Sequence, residues 1–113
     1  PEPLRMLTNL TNLEINGNSI SELPPWFSKL RCLVSLSATN NLLVTVPEGL
    51  EECHKLTKLL LSGNRFCDVP LRLCKATNLT TLRLSENQIK VLPRDIARLK
   101  SLQELTISGN LLT

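Results

Sequence analysis

Aromatic side chains are nearly absent from this chain: Trp26, Phe27 and Phe66 are the whole complement, and there is no tyrosine. Without aromatics among the basic residues to stack bases, and without a recognition-helix pattern, the sequence argues against nucleic acid as a partner. No apolar run approaches the roughly 18 residues that a membrane helix needs, and no charged start leads into an apolar signal segment. The expectation is a soluble chain with no membrane insertion. Histidine occurs once, as His54, and the spacings of Cys32, Cys53, Cys67 and Cys74 miss the C-x2-C form of a zinc site. Gly17, Gly63 and Gly109 are dispersed rather than gathered into a phosphate-binding loop. Cys53 and His54 are sequence neighbours, but on strand-like backbone their side chains point apart. No catalytic, cofactor-binding or metal-binding residue is therefore expected, and no small-molecule substrate.

What the chain does have is leucine, in strict order. From Leu79 to Pro93 it reads LTTLRLSENQIKVLP, with Leu79, Leu82, Leu84, Asn87, Ile89, Leu92 and Pro93 at offsets 0, 3, 5, 8, 10, 13 and 14. Each landmark recurs every 23 residues: Leu10, Leu33, Leu56, Leu79 and Leu102; Asn18, Asn41, Asn64, Asn87 and Asn110; Pro1, Pro24, Pro47, Pro70 and Pro93. The units are 10–32, 33–55, 56–78 and 79–101, with a partial unit 1–9 carrying Leu4 and Leu7 before them and a partial unit 102–113 after them. No linker interrupts this register, so residues 1–113 are read as a single repeat domain. With no polar cap over either terminal unit, it is expected to be a slice of a longer array.

Each unit begins with strand alternation, as in Leu82, Arg83 and Leu84. The asparagine then suits a bend, because its amide both donates to and accepts from backbone groups that a turn leaves unpaired. After the proline, which cannot sit in a central strand, apolar residues recur every three positions, the mark of turns, 3-10 or short helical backbone. Units that all run one way need parallel strands joined by right-handed crossovers. The architecture expected is an α/β solenoid with a continuous leucine core. In the second unit Ala38 and Cys53 stand where larger apolar residues are expected, so that unit is expected to pack loosely unless its neighbours fill the gap.

These residues resemble the leucine-rich repeat family, whose pattern LxxLxLxxNxLxxLPxxLxxLxx is matched along essentially the whole chain. The resemblance implies a horseshoe segment with a parallel sheet on its concave face and turns, 3-10 or short helices on its convex face. The 23-residue form with a Leu-Pro step is most similar to the intracellular Ras-group repeats of Ras-suppressor proteins, adenylyl cyclase and the Scribble and Erbin scaffolds. It implies a protein-binding role as a cytoplasmic scaffold or adaptor. Two alternatives stay open: a substrate-selecting or regulatory segment of a larger signalling enzyme, and an extracellular recognition domain, for which Asn9 and Asn78 supply Asn-Leu-Thr sequons. The cysteines do not look like a disulfide framework and are expected to be reduced thiols, with Cys53 a small buried hydrophobe.

The asparagine ladder and the leucines are expected to be structural, so function falls to the variable positions. On the outward strand face these form two columns: Asn12, Ser35, Lys58, Thr81 and Glu104, then Glu14, Ser37, Leu60, Arg83 and Thr106. Lys58, Leu60 and Arg83 cluster mid-face, an apolar anchor in a charged rim, with Glu14 and Glu104 at the ends. On the back, Trp26 is expected either to cover the core edge or to anchor a second partner. Charge is uneven: residues 1–53 hold three Lys or Arg against six acids, and residues 54–113 hold ten against four. The net charge of +3 is thus split as −3 and +6. Lys90, Arg94, Arg98 and Lys100 make the back of the fourth unit basic where Glu48, Glu51 and Glu52 make the second acidic. Such runs are read as a solvated face, or as a surface for acidic partners or an anionic membrane.

Overall fold

The computed structural model describes residues 9–23, 27 and 29–112. The half-unit with Leu4 and Leu7, and Trp26, for which a packing or anchoring role is expected, lie outside the described residues. Five strands, β1 (Asn12–Glu14), β2 (Ser35–Ser37), β3 (Lys58–Leu60), β4 (Thr81–Arg83) and β5 (Glu104–Thr106), form one parallel sheet in chain order. Their pairing keeps the 23-residue step throughout: Leu13 opposes Leu36, Leu36 opposes Leu59, Leu59 opposes Leu82 and Leu82 opposes Leu105. A slip of one residue would turn those leucines out of the core and the polar flanks into it, so burial holds the register.

Main-chain bonding between units extends past the strands. Before each strand one carbonyl accepts twice, as when Thr57 O receives Thr80 N–H (2.8 Å) and Thr81 N–H (3.0 Å). Beyond the strand the ladder continues through Leu61 N–H to Arg83 O (2.8 Å) and Gly63 N–H to Ser85 O (2.9 Å). At the bend, Asn40 (φ 57°), Gly63 (φ 73°), Glu86 (φ 58°) and Gly109 (φ 73°) share left-handed backbone. Gly63 and Gly109 are needed there twice over, because the side chains of Asn40 and Glu86 occupy the space that a Cβ on each would enter.

The return segments differ from unit to unit. The second has the 3-10 helix η1 (Leu50–Glu52), the third the single α-turn α1 (Leu71–Cys74), and the fourth the 3-10 helix η2 (Arg94–Arg98). Pro70 (φ −60°, ψ 141°) and Pro93 (φ −73°, ψ 154°) lead into the last two; their rings preset φ, and neither has an N–H for a strand to use. Helices this short are marginal alone and are held by packing. Leu50 and Leu73 are fully buried.

The core is one continuous cluster of buried side chains from Leu23 to Leu99. Each fully buried leucine contributes about 1.5–3 kcal/mol by leaving water. In the second unit the short residues Ala38 and Cys53 are nevertheless buried, and the largest buried side chains, Phe27 and Phe66, lie in the units on either side. Cys53 is more than a small hydrophobe: its thiol donates to Leu30 O (3.4 Å) in the preceding unit.

Candidate functional site

The platform beneath the candidate site is set by asparagine. Asn64 Nδ2 donates to Leu61 O in its own unit and to Ala38 O in the unit before, both at 2.9 Å, while its Oδ1 accepts from Leu43 N–H at 3.0 Å. Asn87 repeats the pattern on Leu84 O, Leu61 O and Phe66 N–H, and Asn41 and Asn110 do likewise. Each of these amides thus closes its own turn and ties two units together. Asn18 differs: it is exposed and, among the described residues, bonds only to Ile15 O and Asn16 O. Among the described residues no buried side-chain nitrogen or oxygen lacks a partner, which is what rigid stacking requires.

On that platform the outward columns form as expected. Asn12, Ser35, Lys58, Thr81 and Glu104 are successive partners across the sheet, as are Glu14, Ser37, Leu60, Arg83 and Thr106. At about 4.8 Å between strands, the face is roughly 20 Å wide. Ser37 departs from the reading of an open contact residue. It is only 7% exposed, because its Oγ donates to Asn16 Oδ1 at 2.7 Å. The same oxygen accepts from Thr39 N–H (2.8 Å) and Thr39 Oγ1 (2.9 Å).

Asn16 belongs to a third polar row, Asn16, Thr39, Ser62, Ser85 and Ser108, along the rim of the face. Ser108 Oγ donates to Ser85 Oγ at 3.2 Å. Sequence reasoning passed over this row although the 23-residue step picks it out. Charge on the face is also rearranged. Arg83 Nε meets Glu104 Oε2 at 2.7 Å, diagonally across β4 and β5, so the positive charge expected mid-face is partly neutralised. Both side chains are about half exposed, so the pair contributes no more than about 1 kcal/mol. Lys58 forms no ion pair among the described residues, and Leu60 beside it is half-buried.

The four thiols are free. Cys53 and Cys74 are buried, and loss of solvation pushes both thiols up from the ordinary value, with nearby acids adding to the effect and Arg31 and Arg98 opposing it. Iodoacetamide at neutral pH should therefore label exposed Cys67 first and half-buried Cys32 next, leaving Cys53 and Cys74 unmodified until the chain unfolds; peptide mass mapping over time checks the order. His54 is exposed, and its carbonyl accepts from Asn78 Nδ2. Among the described residues no group of three or more His, Cys, Asp or Glu is placed to hold a metal ion, and no helix is long and apolar enough to cross a membrane.

A parallel sheet in which Asn41, Asn64, Asn87 and Asn110 each tie their unit to the one before is the signature of one repeat type. The family model described as Leucine rich repeat matches residues 8–66 and again 55–112. The chain belongs to the leucine-rich repeat family. Solved leucine-rich repeat structures superpose on nearly all of it. A leucine-rich repeat protein of Leptospira interrogans is 29% identical over 100% of this chain, with a TM-score of 0.76. An internalin of Listeria monocytogenes is 27% identical over 97%, with a TM-score of 0.83. The leucine-rich repeat ectodomain of an Arabidopsis thaliana membrane receptor kinase, solved in complex with Casparian strip integrity factor 2, is 25% identical over 97%, with a TM-score of 0.80. The chain spans 35%, 31% and 14% of those proteins' lengths, respectively. No curated protein sequence shows significant similarity to it. Leucine-rich repeat domains generally mediate protein–protein interaction.

Proposed function

We propose that this leucine-rich repeat chain is a non-enzymatic scaffold or adaptor inside the cell, which holds a protein partner on the concave sheet face. The observation that carries the reading is Leu60. It is an apolar side chain left half-buried on the outward face of the central strand, with Ser37 and Arg83 opposite it and Lys58 two residues before it. A leucine set among polar and charged neighbours on a rigid sheet has the composition of an interface anchor and rim, and a preformed sheet keeps the ordering cost of binding low. The partner fitting a face of this width is an extended segment or one side of a small domain. The 23-residue Leu-Pro unit shared with Ras-group repeats, together with four free thiols, supports the intracellular setting.

The test is the double substitution Lys58→Glu and Arg83→Glu, joined by Leu60→Asp as a separate variant. A protein captured by the wild-type chain and then purified should bind each variant at least about 100-fold more weakly, a loss typical of an interface centre. Circular dichroism should stay that of wild type, since all three positions point away from the core. Unchanged affinity in folded variants would move the site off this face.

A second reading, an extracellular recognition domain, is favoured by the exposed sequons at Asn9 and Asn78 and by the likeness to a receptor ectodomain. Against it, the Asn78 amide nitrogen donates to His54 O, a bond that a glycan on that nitrogen would disturb. Mass measurement of the protein from its native source, with and without reduction, separates the two. Glycans at these asparagines or paired cysteines would favour the second.

A further inference from the structure

The convex face carries a charge order in step with the 23-residue unit. One of its columns reads Glu48, Leu71, Arg94, a single residue from each of three successive units. All three are exposed, Leu71 to 60%. Several charges nearby are already paired within the chain, Glu51 with Arg72 (3.5 Å), Glu52 with Arg31 (3.6 Å) and Asp95 with Arg98 (3.8 Å), whereas Asp68, Lys75 and Lys90 form no ion pair among the described residues. Glu48 and Arg94 form no ion pair among the described residues. Lys75 lies off this column, in step with Glu52 and Arg98.

Beside Leu71 runs a shallow groove of about 370 Å³ between Pro70 and Pro93, lined also by Val69, by Val91, which is 69% exposed, and by the exposed acid Asp68 at its edge. The face thus offers an apolar centre with an unpaired acid one unit to one side and an unpaired base one unit to the other. Such an order is its own complement when turned end for end. A two-fold axis through Leu71 sets Glu48 against Arg94 of a second copy, Arg94 against Glu48 of that copy, and the two Leu71 side chains against each other, with the grooves flanking them. The polarity extends to the whole chain, whose halves carry −3 and +6, so the same antiparallel arrangement is steered at long range.

We propose that the convex face is an isologous interface between two copies of this chain, packed back to back about Leu71. The two concave faces then point away from one another, so a dimer presents two copies of each. This contact does not depend on what the concave face binds.

Sedimentation equilibrium at roughly 100 μM and low salt, where a micromolar contact is populated, should give the mass of two chains. Glu48→Arg and Arg94→Glu, each alone, place like charges together and should weaken dimerisation about tenfold or more. Mixing the two variants in equal amounts should restore it. One variant then carries a base at both ends of the column and the other an acid at both ends, so each contact again joins opposite charges. Leu71→Asp should yield single chains with unchanged circular dichroism. A wild-type chain that stays at the mass of one chain, or a dimer indifferent to both charge reversals and to their mixing, overturns the proposal.

Discussion

Replacing Asn64 by leucine is expected to destabilise the chain by about 2–6 kcal/mol, a large share of the roughly 5–15 kcal/mol typical of a domain. Leucine keeps asparagine's heavy-atom count and branching, and its larger methyl groups only add to the cost of the lost bonding. That cost arises because Leu43 N–H loses its acceptor, while Ala38 O and Leu61 O each lose one of two donors and keep only Asn41 and Asn87 respectively, all in a site where Asn64 itself is only 5% exposed. A buried main-chain N–H left unpaired costs about 1–3 kcal/mol, and each of the two lost carbonyl bonds about 0.5–1.5 kcal/mol. Asn18→Leu is the matched control. Asn18 is exposed and, among the described residues, bonds only within its own turn, so its loss should cost about 1 kcal/mol or less. Thermal unfolding followed by circular dichroism should show a midpoint lower by about 10 °C or more for Asn64→Leu and by a few degrees for Asn18→Leu. Equal midpoints for the two variants would remove the inter-unit role assigned to the ladder.

The second large effect is expected at Phe66. This ring is fully buried where the other units place Ile20, Leu43 and Ile89, so its extra volume has to be accommodated by shorter side chains elsewhere. Short side chains are present in the adjoining second unit, where Ala38 and Cys53 are buried in the same continuous core. Phe66→Ala should cost about 3–5 kcal/mol, the transfer term plus the cavity left in a core that relaxes only in part. Phe66→Leu, which restores the side chain that another unit uses, should cost about 1–2 kcal/mol. Urea unfolding of both variants gives the two values. A loss below about 1 kcal/mol for the alanine variant would mean that the neighbouring units close over the gap.

The sheet was legible from sequence because the 23-residue step admits no insertion. Once Leu82 is placed inward, Leu59 and Leu105 follow, and with them both outward columns. The return segments were legible only in outline. The same three-residue spacing yields an α-turn at Leu71–Cys74 and 3-10 turns at Leu50–Glu52 and Arg94–Arg98, a choice made by packing rather than by the apolar pattern. Side-chain pairing within the candidate site was not legible. That Arg83 turns to Glu104 and Ser37 to Asn16 depends on diagonal distances between strands, which a list of columns does not contain. The asparagine ladder was read as a device for closing turns. Its reach into the preceding unit becomes visible only when the units are stacked.

That reach gives the solenoid a direction. Every one of these long-range asparagine bonds runs from a later unit to an earlier one: Asn41 to Ile15 O, Asn64 to Ala38 O, Asn87 to Leu61 O, Asn110 to Leu84 O. Prising two units apart therefore creates two chemically unlike surfaces, main-chain acceptors and donors on the earlier unit and a mobile amide on the later one. The amide can rotate to find other partners, whereas the fixed main chain cannot. A damaged junction is accordingly asymmetric: substituting an asparagine should loosen the unit that precedes it more than the unit that follows, and hydrogen exchange should fade from the site toward the N-terminus.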